Sequence, residues 1–148
     1  MKPIVKKMKN GMTAIVVPQK GATSMTFMAF CRVGSRYESR DINGASHFIE
    51  HLMFKGTKRR PDTLTISKEL DRYGAEYNAF TSKDLTAYYV KMDAAKTGLA
   101  ADILHDMIFH SHYDQKELDR ERGVIVEEIN MYEDNPRMHI EDLLEEAL

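Results

Sequence analysis

The chain has 148 residues, 43% of them hydrophobic and 30% charged, with 8 glycines and 4 prolines. That length suits one domain with its own core rather than two, and that composition excludes a disordered or collagen-like chain. A net charge of −2 argues against a nucleic-acid partner, and the sequence shows neither a membrane-spanning run nor a secretory signal in MKPIVKKMKNG.

In chain order, Ile4 to Met8 and Met12 to Val17 read as two short strands joined by Asn10-Gly11, a dipeptide suited to a hairpin turn. Met25 to Val33 is almost wholly apolar and predicts a central strand buried on both faces. Within it the single cysteine, Cys31, reads as a buried inert thiol, and its being alone points to a reducing, cytoplasmic compartment. A polar loop from Ser35 to Asn43 leads to Gly44 and a helix over Ala45 to Phe54, which Gly56 closes. The basic cluster Lys55, Lys58, Arg59, Arg60 reads as a solvated loop.

Leu64 to Tyr73 has the apolar spacing of an amphipathic helix stopped by Gly74. Two strands follow, Glu76 to Phe80 and Leu85 to Met92, then a helix over Ala94 to His110. Asp114 caps a longer helix running to about Glu133, Asn135-Pro136 breaks it, and Ile140 to Leu148 forms a last helix that ends without a stop signal. The interleaving predicts an α+β fold, an antiparallel or mixed sheet with helices packed on one side. Residues 1–148 then form a single, truncated unit.

The chemistry gathers in His47-Phe48-Ile49-Glu50-His51. On a helix the two histidines lie four apart on one face, with Glu50 beside them and Ile49 and Met53 pointing elsewhere. Two neutral imidazoles at that spacing can bind one zinc ion and leave the carboxylate free to take a proton from water. A catalytic zinc site needs a third protein ligand. On the helix after Asp114, Glu121 and Glu128 share a face with Ile125 and Tyr132, whereas Glu127 lies about 120° away and reads as solvent-facing. Carboxylates on an apolar stripe are costly unless a metal or its ligand compensates them. His105, His110, His112 and His139 lie in no comparable cluster and read as ordinary histidines.

These residues resemble the inverzincins, the pitrilysin and insulinase type of peptidase, a group that includes mitochondrial processing peptidases and is marked by H-x-x-E-H. NGMTAIVVPQ, VGSRYE, GASHFIEHLMFKGT, GAEYNAFTSKDLTAYYV and ERGVIVEEI look like that family's, in that order. The resemblance implies a Zn²⁺ endopeptidase acting on extended peptides. It implies His47, His51 and Glu128 as metal ligands, with Glu50 and Glu121 as the catalytic pair, Glu50 the base and Glu121 in support. It also implies substrate binding along Asn78, Ala79, Phe80 and Thr81, where a peptide adds as a strand to a sheet edge. Family members are built from two or more related units, so a second homologous domain or subunit, or a homo-oligomer, is the expected partner. The rival reading is a non-catalytic peptide-binding or assembly module of the same fold; such a descendant is expected to lose motif residues, and this sequence retains all four.

Overall fold

The computed structural model describes residues 2–147. β1 (Ile4–Lys7) and β2 (Thr13–Val16) form an antiparallel hairpin, with Ile4 opposite Val16 and Lys7 opposite Thr13. Its turn depends on Gly11, at φ +88°, and on Asn10 Oδ1, which accepts the Met12 N–H at 3.2 Å. A residue without Cβ takes that positive φ at little cost.

A second antiparallel sheet is made of β3 (Ser24–Cys31), β4 (Glu76–Thr81) and β5 (Thr86–Asp93), in the order β3-β5-β4. β3 is therefore an edge strand, not the central one that its apolar run suggests. Met25, Phe27 and Cys31 pack toward the core, while Met28 and Phe30 are 37% and 63% exposed. The centre belongs to β5, whose Tyr88, Val90 and Met92 are buried. An apolar run reports that a strand is hydrophobic on both faces, but pairing order decides which faces are covered. The α+β class holds, with two small antiparallel sheets in place of one.

Among the described residues five α-helices follow the expected order: α1 (Ala45–Met53), α2 (Thr63–Asp71), α3 (Thr97–His110), α4 (Gln115–Glu133) and α5 (Pro136–Ala147). Asp62 caps α2 by accepting the Thr65 N–H at 2.7 Å, and Asp114 caps α4 by accepting that of Lys116 at 2.9 Å. α5 starts at Pro136 rather than Ile140, because proline at a first helical position gives up only a donor that has no partner there. Leu148, the expected end of that helix, lies outside the described residues. Met53 of α1, Ile66 and Leu70 of α2, and Ala100, Ile103, Leu104 and Met107 of α3 pack on one face of the second sheet. That makes one core with helices on one side.

The basic cluster is solvated at Lys58 and Arg59 but not at Arg60. Arg60 is 4% exposed, and its guanidinium donates to Glu69 at 2.7 and 3.0 Å, to Asp102 at 2.9 Å and to buried Asp106 at 2.8 Å. Asp106 also accepts the Thr57 hydroxyl at 2.7 Å, and Arg59 forks onto Asp102 at 2.7 and 2.8 Å. The carboxylates come from α2 and α3, so nothing local to the loop announces them. The planar Arg60 guanidinium makes four bonds to them, one more than the three donors of an ammonium allow. Hydrogen bonds from Arg59 and Arg60 hold the Asp102 carboxyl down at about 2. The loop is tight as well. A Cβ on Gly56, at φ +135°, would sit 2.4 Å from the Pro61 carbonyl oxygen.

Candidate metal centre

α1 opens on Gly44, which lies at φ +90° and has no side chain to cap the helix. Glu38 supplies the cap from outside, accepting the N–H of Gly44 at 2.6 Å and of Ser46 at 2.7 Å. Burial alone would push the Glu38 carboxyl up, but hydrogen bonds from Ser46 and Gly44 outweigh it and hold the group below the usual carboxylate range. Leu52 and Met53 bury the inward side of α1. His47, Glu50 and His51 are left half-buried on the side shared with α4 and β4.

His47 Nε2 and His51 Nε2 lie 3.2 Å apart, with the rings perpendicular. From α4, Glu128 places Oε2 at 3.5 Å from His51 Nε2 and 3.7 Å from His47 Nε2. Tetrahedral zinc with ligand bonds of about 2.1 Å separates neighbouring donors by about 3.4 Å. Two imidazole nitrogens and one carboxylate oxygen at the corners of such a triangle therefore fit three ligands of a zinc ion, with a fourth position open. Among the described residues, no other group of three histidine, cysteine or acidic side chains converges in this way. His105, His110, His112 and His139 take no part.

Glu121 is 3% exposed and lies behind His51, its Oε2 3.1 Å from His51 Nδ1 and its Oε1 2.6 Å from Lys55 Nζ. Burial alone would raise its carboxyl; the hydrogen bonds from Lys55 and His51 outweigh burial and hold it below the usual range. An ionised carboxylate only accepts, so His51 Nδ1 donates to it, the tautomer that leaves Nε2 as the ring's metal-binding atom. The helical phase of α4 is as expected at Glu121, Ile125 and Glu128, which are buried or half-buried, and at exposed Glu127. Tyr132 departs from it, at 41% exposure.

Glu50 Oε2 accepts the Thr81 hydroxyl at 2.5 Å, and Thr81 Oγ1 lies 3.0 Å from Thr86 Oγ1. With the Thr81 proton committed to Glu50, buried Thr86 donates to Thr81. This ties Glu50 to the last residue of β4. Asn78, Ala79, Phe80 and Thr81 all lie on β4, which pairs only with β5 among the described residues. Asn78 Oδ1 accepts the Ala79 N–H at 2.9 Å, and Phe80 is 44% exposed. Sequence reasoning missed three parts of the site. Lys55 was signalled only by standing four residues after His51, just past the end of α1; Glu38 and Thr86 reach the site only through the fold. Among the described residues, no helix is long and apolar enough to cross a membrane.

The sequence matches the family model described as "Insulinase (Peptidase family M16)" over residues 14–148. It is 42% identical over 139 residues to a protein of Bacillus subtilis named an uncharacterized zinc protease, YmxG, covering 94% of this chain and 34% of the relative. It is 36% identical over 141 residues to the mitochondrial-processing peptidase subunit beta of Caenorhabditis elegans, covering 95% and 30%. Its fold is similar to that in a crystal structure of a protease from Helicobacter pylori, with TM-score 0.87 and 28% identity, over 93% of this chain and 33% of that one. The chain thus spans about a third of the length of these relatives. Its H-x-x-E-H helix, the acidic helix that meets it and the family match over residues 14–148 together make the chain a member of the insulinase family, Peptidase family M16.

Proposed function

We propose that the chain is the metal-bearing, amino-terminal unit of a zinc-dependent endopeptidase that hydrolyses extended peptides. The observation that carries this reading is the triangle of His47, His51 and Glu128 donors with Glu50 one residue before the second histidine. Zinc held there supplies Lewis-acid polarisation of a peptide carbonyl and makes water easier to ionise. Glu50 takes the proton of the attacking water on its carboxylate and returns it to the leaving amine. The Thr81 hydroxyl holds Glu50 Oε2, which aims the other oxygen. His51 is kept as a ligand by its Nδ1 contact with Glu121.

The peptide is held as a strand added to the free edge of β4, along Asn78 to Thr81. Backbone pairing of that kind reads any extended chain, with side-chain pockets adding preference. Relatives about three times as long support the further reading that residues 1–148 form one unit and work with a second homologous domain or subunit, or as a homo-oligomer. Cleavage of an unstructured peptide by the zinc-loaded protein tests the proposal. Glu50→Gln is expected to keep its zinc and lose at least ~100-fold in turnover. Cleavage undiminished in Glu50→Gln would refute the mechanism, and zinc bound with no cleavage in either form would fit a non-catalytic peptide-binding module or a unit that lacks its second domain.

A further inference from the structure

We infer that Lys55 is a positioning residue for the metal centre, acting through Glu121 to keep His51 oriented with Nε2 toward the metal. The inference rests on the zinc reading above and adds to it the residue that makes the support of His51 work. Lys55 lies two residues past the end of α1, its N–H on the Leu52 carbonyl at 3.0 Å, and from there its ammonium reaches the same α4 carboxylate as the His51 ring. The carboxylate of Glu121 is divided between them, Oε1 to Lys55 Nζ at 2.6 Å and Oε2 to His51 Nδ1 at 3.1 Å. Among the described residues no other cationic side chain bonds Glu121.

The division has two consequences. The Glu121 side chain is only 4% exposed, and with Oε1 bonded to Lys55 Nζ at 2.6 Å its carboxylate is fixed in the plane that turns Oε2 to His51 Nδ1. Lys55 thereby holds the atom that Nδ1 meets, and the His51 ring keeps Nε2 turned toward His47 and Glu128. With both Glu121 oxygens engaged, Glu128, two turns later, is the α4 carboxylate left facing the two Nε2 atoms. Lys55 is itself held in place. The next residue, Gly56, packs against the Pro61 carbonyl and accepts the His112 N–H at 2.8 Å, and Arg60 is clamped by three carboxylates.

Competition with a chromophoric chelator, using zinc alone as probe, measures the affinity of the full chain and its variants without relying on activity. Outer partners of metal ligands are typically worth ~10–100-fold in affinity, and we expect Lys55→Met to weaken zinc binding by about 10-fold. Lys55→Arg should recover most of that loss. In a Glu121→Gln background Lys55→Met should cost nothing further, because the Glu121 carboxylate that links Lys55 to His51 is already gone. Nitrogen-15 spectra of the metal-free chain should show the Nδ1–H form of His51 in the parent and a mixture of forms in Lys55→Met. Thermal unfolding of the metal-free proteins controls for a purely structural role, and Lys55→Gln stands in if the methionine variant does not fold. Zinc affinity equal to the parent's in the Lys55 variants overturns the inference and leaves the zinc reading intact. So does an undiminished loss in the Glu121→Gln background. A parent that binds no zinc overturns both.

Discussion

Replacing Arg60 with methionine keeps the apolar stem and removes the guanidinium that three carboxylates share. Glu69 and Asp102 have side chains 32% and 39% exposed and can rehydrate, so the cost is set by Asp106, whose side chain is 1% exposed. Removing one partner of a buried pair costs ~3–5 kcal/mol. Asp106 keeps the Thr57 hydroxyl at 2.7 Å and has His110 Nδ1 at 3.5 Å, so the lower end of that range, about 3 kcal/mol, applies. At ~2–4 °C per kcal/mol for a domain of this size, the melting temperature should fall by about 6–12 °C.

The cost should also depend on pH. Hydrogen bonds from Arg59 and Arg60 hold Asp102 down at about 2, and Asp106 is lowered by Thr57 and Arg60 against the opposing effect of burial. A carboxyl depressed in the folded state contributes stability above its unfolded pKa of about 3.9, and that contribution is lost as pH falls through the folded value. Parent and Arg60→Met should therefore differ most at neutral pH and converge as pH falls from about 4 toward 2. Asp102 is screened by solvent, so most of the convergence belongs to Asp106. Urea unfolding followed by circular dichroism between neutral and acid pH measures this. A difference below ~1 kcal/mol at neutral pH, the size of a surface ion pair, would refute the reasoning. A difference that widens in acid would do the same.

Two other perturbations probe the supports of the site. Thr81→Val removes a hydrogen bond to a charged group worth ~1.5–3 kcal/mol, so peptide turnover should fall ~10–100-fold with zinc affinity unchanged. Comparing steady-state kinetics with chelator titration checks this, and a loss of zinc affinity as large as that of a ligand variant would contradict it. Glu38→Ala removes the external cap of α1 and should cost about 1 kcal/mol in chemical unfolding near neutral pH. Because the Glu38 carboxyl is lowered in the fold, that cost should shrink as pH falls through the lowered value. A cost that does not change with pH would mean that the charge on Glu38 plays no part.

Local signals in the sequence were enough for the helices and for the histidine pair, and they narrowed the acidic candidates on α4 to Glu121 and Glu128, between which the family resemblance chose. The spacing of His47 and His51 fixes a shared face of α1, and the phase of α4 separates Glu121 and Glu128 from Glu127, because both facts follow from helical period alone. Strand rank was not legible, since β3 and β5 are both rich in apolar residues and only pairing order distinguishes edge from centre. The fate of Arg60 was equally hidden. Four basic residues in six read as a solvated run until Glu69, Asp102 and Asp106 arrive from two other helices. Thr81 was expected only as part of a peptide-binding strand. Its hold on Glu50 depends on how α1 lies across β4, which no local pattern encodes.

Zinc affinity of Glu128→Gln and Glu127→Gln, measured side by side by chelator competition, shows whether His47, His51 and Glu128 hold zinc together. The two residues are adjacent on α4, and each substitution removes one negative charge, so bulk electrostatics are matched. Glu128→Gln is predicted to lose at least ~100-fold in affinity while Glu127→Gln stays within about twofold of the parent. Equal losses in the two variants, or none in Glu128→Gln, would contradict the account.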